Sequence, residues 1–224
     1  MSALPGGGHL KVLVLGMPRT GTQFCLTVSL ALADALAELG QGPIYHMRDV
    51  AKNNHQRQWI AALEAKFEGR GSPFGRKEFE GFLGGFTGVS DFPASIFSDE
   101  LVAAFPEAKV ILTVRDEDKW FDSMMATIWH AWSAPDAPKE TPMRLLADKY
   151  HRYMWQNDFP LYGRERYRAH NAHLRSIAPE NRLLVYEIKD GWKPLCAFLG
   201  LDEPATTFPR HDDWLEYKRV HGKA

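Results

Sequence analysis

Lys11-Val12-Leu13-Val14-Leu15-Gly16-Met17-Pro18-Arg19-Thr20-Gly21-Thr22 is an apolar run that enters a short glycine-containing loop. The next residues, from Gln23 to Leu39, carry a helical pattern that ends at Gly40, a residue suited to a helix C-terminus. A strand, a tight loop and a helix N-terminus in that order make a phosphate cradle. Loop N–H groups converge there, and the helix dipole favours an anion. The nucleotide-binding loop G-x-x-x-x-G-K-[ST] places a lysine and a hydroxyl after its second glycine. Gly16 and Gly21 keep that glycine spacing, but Thr22 and Gln23 follow them. The lysine is absent, and so is the hydroxyl that would hold magnesium. The cation comes earlier instead, at Arg19. The loop is predicted to hold a phosphate ester without magnesium–nucleoside triphosphate chemistry.

A second strand extends the argument. Lys109-Val110-Ile111-Leu112-Thr113-Val114-Arg115 is apolar in its middle and ends in an arginine. Asp116 to His130 reads as a helix, with Ser123 eight residues after Arg115. An arginine at a strand's carboxyl end and a serine two turns into the next helix can grip one phosphate. Ligands of open α/β sheets bind at that edge. Pairing of Arg115 with Asp116 or Glu117 is the plainer alternative, and its place after an apolar run favours the phosphate.

These residues resemble a family. Pro18-Arg19-Thr20-Gly21-Thr22 is similar to the 5′-phosphosulfate loop of sulfotransferases, written P-K/R-[ST]-G-T. Arg115 with Ser123 resembles their 3′-phosphate motif. Leu183 to Gly200, with Tyr186 near its start, is similar to their late strand–loop–helix segment. The three motifs occur in order and span residues 10 to 215. The wording resembles the short sulfotransferase-like proteins common in fungi. The resemblance implies one domain over residues 1–224, with a three-layer P-loop-type α/β sandwich, a mostly parallel central sheet and helices on both faces. It implies 3′-phosphoadenosine 5′-phosphosulfate (PAPS) as donor, 3′-phosphoadenosine 5′-phosphate (PAP) as product, and no metal. The acceptor would be a hydroxyl, phenol or amine of a small molecule.

Three chemical demands follow from that implied reaction. Donors must be aimed at the phosphate that leaves, a task suited to Pro18, Arg19 and the groups of Thr20, Gly21, Thr22 and Gln23. The 3′-phosphate must be fixed, which falls to Arg115 and Ser123. A base must take the acceptor's proton. Many cytosolic sulfotransferases use the histidine of a Thr-His-Leu-Pro stretch, and Ser90-Asp91-Phe92-Pro93 stands at the matching place. Asp91 therefore replaces the histidine. A partly desolvated carboxylate can act as base. Asp is also favoured at turns and caps, so base and helix cap both stay open. His46, in Tyr45-His46-Met47 past the first strand–helix unit, is the rival base. Phe24 and Tyr186 are candidates for the adenine, and each is equally a core residue. Trp129, Trp132, Phe82, Phe86 and Phe92 are expected near an apolar acceptor pocket, or else in the core.

The remaining chain alternates strands and helices, which argues for a parallel sheet. Helices are predicted over Arg48–Phe67, Lys77–Leu83, Pro93–Phe105, Thr141–Trp155, Arg164–Ile177 and Trp192–Leu199, with a short one in the tail from Phe208 to Val220. Short strands are predicted within Pro43–Met47, Thr87–Asp91 and Arg182–Val185. Ser133 to Thr141, with Pro135 and Pro138, reads as a loop or lid hinge.

Composition narrows the classes. The chain has 224 residues, 45% hydrophobic and 25% charged, with a formal net charge of −1. That balance argues against nucleic-acid and acidic-membrane partners. Two cysteines, Cys25 and Cys196, make no disulfide framework. Residues 1–9 carry no apolar signal region, and no apolar run reaches transmembrane length, so a cytoplasmic protein is expected. His170 and His173 have a metal-capable helical spacing but no evident third ligand, which favours a solvated face. Two rivals remain. A nucleotide kinase is disfavoured by Thr22 and Gln23. A catalytically idle or repurposed adenine-nucleotide-binding protein would bind PAP tightly without transferring sulfate.

Overall fold

In the computed structural model, the described residues are 9–20 and 31–209. Gly21, Thr22, Gln23, Phe24 and Cys25, the expected start of the first helix, and the expected tail helix beyond residue 209 lie outside them. Five strands form one parallel sheet in the order β2-β3-β1-β4-β5. They are β1 (Val12–Val14), β2 (Ile44–Tyr45), β3 (Gly88–Ser90), β4 (Lys109–Thr113) and β5 (Leu183–Tyr186). The predicted α/β class and parallel sheet are borne out.

The apolar runs of β1 and β4 are continuous because both sheet faces are covered. Alternate residues serve opposite layers. Val12, Val14 and Ile111 face a cluster with α1 (Ala31–Glu38) and α10 (Trp192–Leu199). Leu13, Leu15, Val110 and Leu112 face the larger core on the other side. That core is built from α3 (Gln56–Glu68), α4 (Arg76–Leu83), α5 (Ser98–Ala104), α6 (Glu117–Met124), α8 (Pro142–Trp155) and α9 (Phe159–Ile177). The result is the expected three layers.

Several helix bounds differ from the sequence reading. The helix expected over Arg48–Phe67 is two: α2 (Met47–Lys52) and α3. Asn54 breaks it by adopting a left-handed backbone (φ 56°), which asparagine tolerates better than most residues. The helix expected over Pro93–Phe105 opens with a tight 3₁₀ turn at Ala94–Phe97 before α5. Helix α9 begins at Phe159, five residues before the expected Arg164. Asp158 Oδ1 accepts from Leu161 N (3.1 Å), and Pro160 sits in the first turn, where its missing N–H costs nothing. After α6 the helix widens into a π-helical turn, Met125–Trp129, and then continues as α7 (His130–Ser133). Among the described residues, no helix is long and apolar enough to cross a membrane.

Candidate functional site

The site residues that can be described gather where the parallel strands end. His46 follows β2, Asp91 follows β3, Pro18, Arg19 and Thr20 follow β1, and Arg115 follows β4. Parallel pairing in register fixes this edge: Val14 lies opposite both Ser90 and Ile111, and Tyr45 lies opposite Val89.

The loop after β1 is tied down from several directions. Thr20 Oγ1 donates to Met17 O (2.6 Å). That uses its single proton, so the 2.6 Å contact with Thr113 Oγ1 has Thr113 as donor. Trp120 Nε1 donates to Pro18 O (2.8 Å). Arg19 holds a left-handed backbone (φ 70°) and is 8% exposed. A non-glycine residue in that region costs about 1–3 kcal/mol and persists where its surroundings over-determine it.

The two arginines and Ser123 also meet one another directly. Ser123 takes its hydrogen bond from Arg19 Nε (2.9 Å) rather than from Arg115. Arg115 Nη1 instead donates to Arg19 O (3.3 Å). The sequence spacing pairs Ser123 with Arg115 on one phosphate and is silent on its bond to Arg19. Both arginines and the serine form one connected group across 104 residues of chain. The π turn adds to the local shape: Thr127 Oγ1 donates to Ser123 O (2.6 Å) where the backbone ladder is wider.

The two rival bases meet. His46 Nε2 lies 3.0 Å from Asp91 Oδ2, with His46 2% and Asp91 6% exposed. His46 is also the N-cap of α2. Its Nδ1 accepts from Arg48 N (3.4 Å), and its own N–H donates to Asp49 Oδ2 (3.0 Å). With Nδ1 an acceptor, the proton of a neutral ring belongs on Nε2, facing Asp91. The contact is close but off-line, and His46 Nε2 and Asp91 Oδ1 are both buried without an aligned partner among the described residues. Asp91 is not a side-chain cap. Its backbone carbonyl accepts from Ser95 N (3.0 Å), its φ is 65°, and the turn at Ala94 has no side-chain cap. The turn therefore uses Asp91's main chain and leaves its carboxylate to the site.

Tyr150 stands beside this pair and was not singled out in the sequence. Its ring packs edge-on against Phe92 (5.4 Å). Burial first, and the charge of Asp91 second, push its hydroxyl pKa upward, so it stays a protonated donor.

Other candidates have other duties. Tyr186 is fully buried, and its hydroxyl donates to Gly191 O (2.9 Å) inside the α1/α10 cluster, a core placement. Phe92 stacks on Trp155 (5.7 Å). Phe82 and Phe86 pack with His55, Trp59 and Tyr45, whereas Trp129 and Trp132 pack round His151. By their ring contacts these five aromatic residues fall into two groups, and each takes part in core packing. His170 Nε2 bonds Leu15 O (2.6 Å), and His173 pairs with Asp99 (2.8 Å). Among the described residues, no group of three or more His, Cys, Asp or Glu is arranged to hold a metal. Cys196 is buried, and burial pushes its thiol pKa up.

Residues 11–217 match a family defined by a sulfotransferase domain. Ava biosynthesis cluster protein M of Aspergillus versicolor is 36% identical over 227 residues, covering 89% of this chain and 80% of that protein.

Proposed function

The chain belongs to the sulfotransferase-domain family, and from that premise we propose that it moves a sulfuryl group from PAPS to a hydroxyl, phenol or amine of a small, apolar or aromatic acceptor. The carrying observation is the connected group at the strand ends, Arg19 on Ser123 at 2.9 Å and Arg115 on the loop backbone at 3.3 Å. Two guanidinium groups, a serine hydroxyl and a strained loop fit a ligand with more than one phosphate-type anion. The relative's name places that protein in a biosynthesis cluster, and a small-molecule acceptor agrees with it.

When bound, PAPS supplies an activated sulfuryl group on a phosphate. The chain supplies the rest. Arg19 lies in the loop that would receive the phosphate, so it stabilises negative charge there. Arg115 and Ser123 fix the ligand's register from β4 and α6. Asp91, whose Oδ1 has no partner among the described residues, accepts the acceptor's proton, and His46 orients the carboxylate through Oδ2. Tyr150, beside Asp91, supplies a donor for the acceptor's oxygen.

Calorimetry with PAP and AMP tests the donor assignment. A hydrogen bond to a charged group contributes about 1.5–3 kcal/mol, so PAP should bind at least about tenfold more tightly than AMP. Equal affinities would overturn the assignment.

A further inference from the structure

Helices α6 and α9 reach across to the loop backbones that carry the anion-binding side chains. Tyr167 Oη donates to Arg115 O (2.8 Å) and accepts from Arg115 N (3.0 Å), so one hydroxyl holds both main-chain groups of that residue. Its ring stacks on Trp120, with centroids 4.2 Å apart and planes at 20°. Trp120 Nε1 in turn donates to Pro18 O (2.8 Å), the residue before Arg19. Trp120 is fully buried, so its bond to Pro18 O is shielded from water, and the Tyr167 side chain is 4% exposed. One helical turn beyond Tyr167, His170 bonds Leu15 O (2.6 Å) at the end of β1.

Neither residue is placed to touch a phosphate. Both bind the backbone of residues that are. A free loop backbone samples several conformations, and fixing each residue costs about 1–2 kcal/mol, so a ligand would otherwise meet that cost on binding. A hydroxyl that satisfies both N–H and C=O of Arg115 sets where its guanidinium starts. An indole that holds Pro18 O sets the entry to the left-handed Arg19.

We propose that the stacked Trp120–Tyr167 pair is a positioning device that sets the two anion sites separately, Tyr167 aligning the 3′-phosphate site through Arg115 and Trp120 aligning the 5′ site through Pro18. The proposal rests on the donor reading given above.

Tyr167→Phe keeps the ring stack and removes both bonds to Arg115. Trp120→Phe keeps an aromatic ring on Tyr167 and removes the bond to Pro18. Calorimetry with PAP and AMP on the full chain reads the two sites separately, because only PAP has a 3′-phosphate. Tyr167→Phe should cut the PAP-over-AMP preference by about fivefold, the worth of about one net hydrogen bond, and leave AMP affinity near wild type. Trp120→Phe should weaken both ligands alike and keep their ratio. A part-unfolded population cancels in the ratio that Tyr167→Phe reads, because it lowers both apparent affinities equally; for Trp120→Phe a thermal melt on the same sample must show a folded protein, and weakening of both ligands that is fully accounted for by unfolding overturns the Pro18 half of the proposal. Equal losses for both ligands in both variants would show a merely structural role and overturn the proposal. So would an unchanged ratio in Tyr167→Phe. Failure of the donor reading itself looks different, because wild type would then show no preference for PAP.

Discussion

Asp91→Asn isolates proton acceptance from everything else Asp91 does. The backbone there is left-handed (φ 65°), a region that asparagine and aspartate enter more readily than other side chains. An alanine would confuse strain with chemistry, and asparagine does not. The carbonyl of residue 91 still accepts from Ser95 N, so the turn into α5 is kept. The amide can still lie against His46 Nε2, 3.0 Å from the present carboxylate oxygen. Only the ability to take a proton is lost. Removing a general base costs about 10²–10⁴-fold in rate, or about 3–5 kcal/mol of barrier. Stability should move the other way or not at all. Asp91 is 6% exposed, its Oδ1 has no partner among the described residues, and a buried carboxylate short of hydrogen bonds is costlier than a buried amide. The expected signature is a slow enzyme with unchanged PAP affinity and a melting temperature at or above wild type, a trade of stability against activity. Sulfate transfer, PAP calorimetry and a thermal melt on the same preparation measure all three. His46→Asn is the matched control, since asparagine is a favoured N-cap and can keep the start of α2. It should slow transfer less than Asp91→Asn, because His46 acts through the carboxylate. If His46→Asn abolishes transfer and Asp91→Asn stays near wild type, the base is His46. If both stay near wild type, the pair is structural and the proton goes elsewhere.

Two further outcomes concern the scaffold. Gly16→Ala would put a Cβ 2.0 Å from Thr113 Oγ1, 2.5 Å from Thr113 O and 2.8 Å from Thr113 N, and β4's backbone cannot yield. Denaturant melts should show a loss at or beyond the top of the roughly 1–3 kcal/mol typical of overpacking; a loss under about 1 kcal/mol would mean β1 and β4 separate easily there. His151 is fully buried among Trp129, Trp132, Tyr150 and Trp155, and its pKa is pushed down to about 3, by burial first and Arg144's charge second. The folded value lies below the unfolded value of about 6.5, so the unfolded chain takes the proton first, and this contribution is complete above about pH 6.5 and is lost as pH falls toward 3, at up to about 1.4 kcal/mol per pH unit. His151→Phe should flatten that part of the stability curve, and an unchanged acid slope would contradict the neutral buried ring.

The strands that carry the site were readable because their signal is local. Val12 to Leu15 and Val110 to Leu112 are apolar on both faces, which only a sheet covered on both sides requires. Arg19 and Arg115 were readable for the same reason, as cations at the ends of such strands. Their partners were not. A spacing of eight residues places Ser123 on a helix phase, but it cannot show that Arg19, from a loop 104 residues away, donates to it. Trp120, Tyr150 and Tyr167 carry no local signal at all, because aromatic residues on amphipathic helices look like core, which these also are. Helix α9 hid its first turn behind Pro160, a residue that permits a start as readily as it forbids a middle.

His46 and Asp91 show how topology changes the question a sequence poses. Along the chain they are 45 residues apart and compete for one role. The order β2-β3-β1 makes β2 and β3 neighbours, and the register Tyr45 opposite Val89 brings the residues after each strand to one place. The two candidates are then a single buried contact, 3.0 Å long. Groups in such contact do not act additively, so a substitution at either reports on the pair. What separates them is the hydrogen bonds each has already committed. His46 gives Nδ1 to Arg48 N and turns Nε2 to Asp91, so both its nitrogens face protein. Asp91 holds Oδ2 3.0 Å from His46 Nε2 and, among the described residues, has Oδ1 without a hydrogen-bond partner. On the proposed reading, the proton of an incoming acceptor would therefore meet the carboxylate, with the imidazole aiming it.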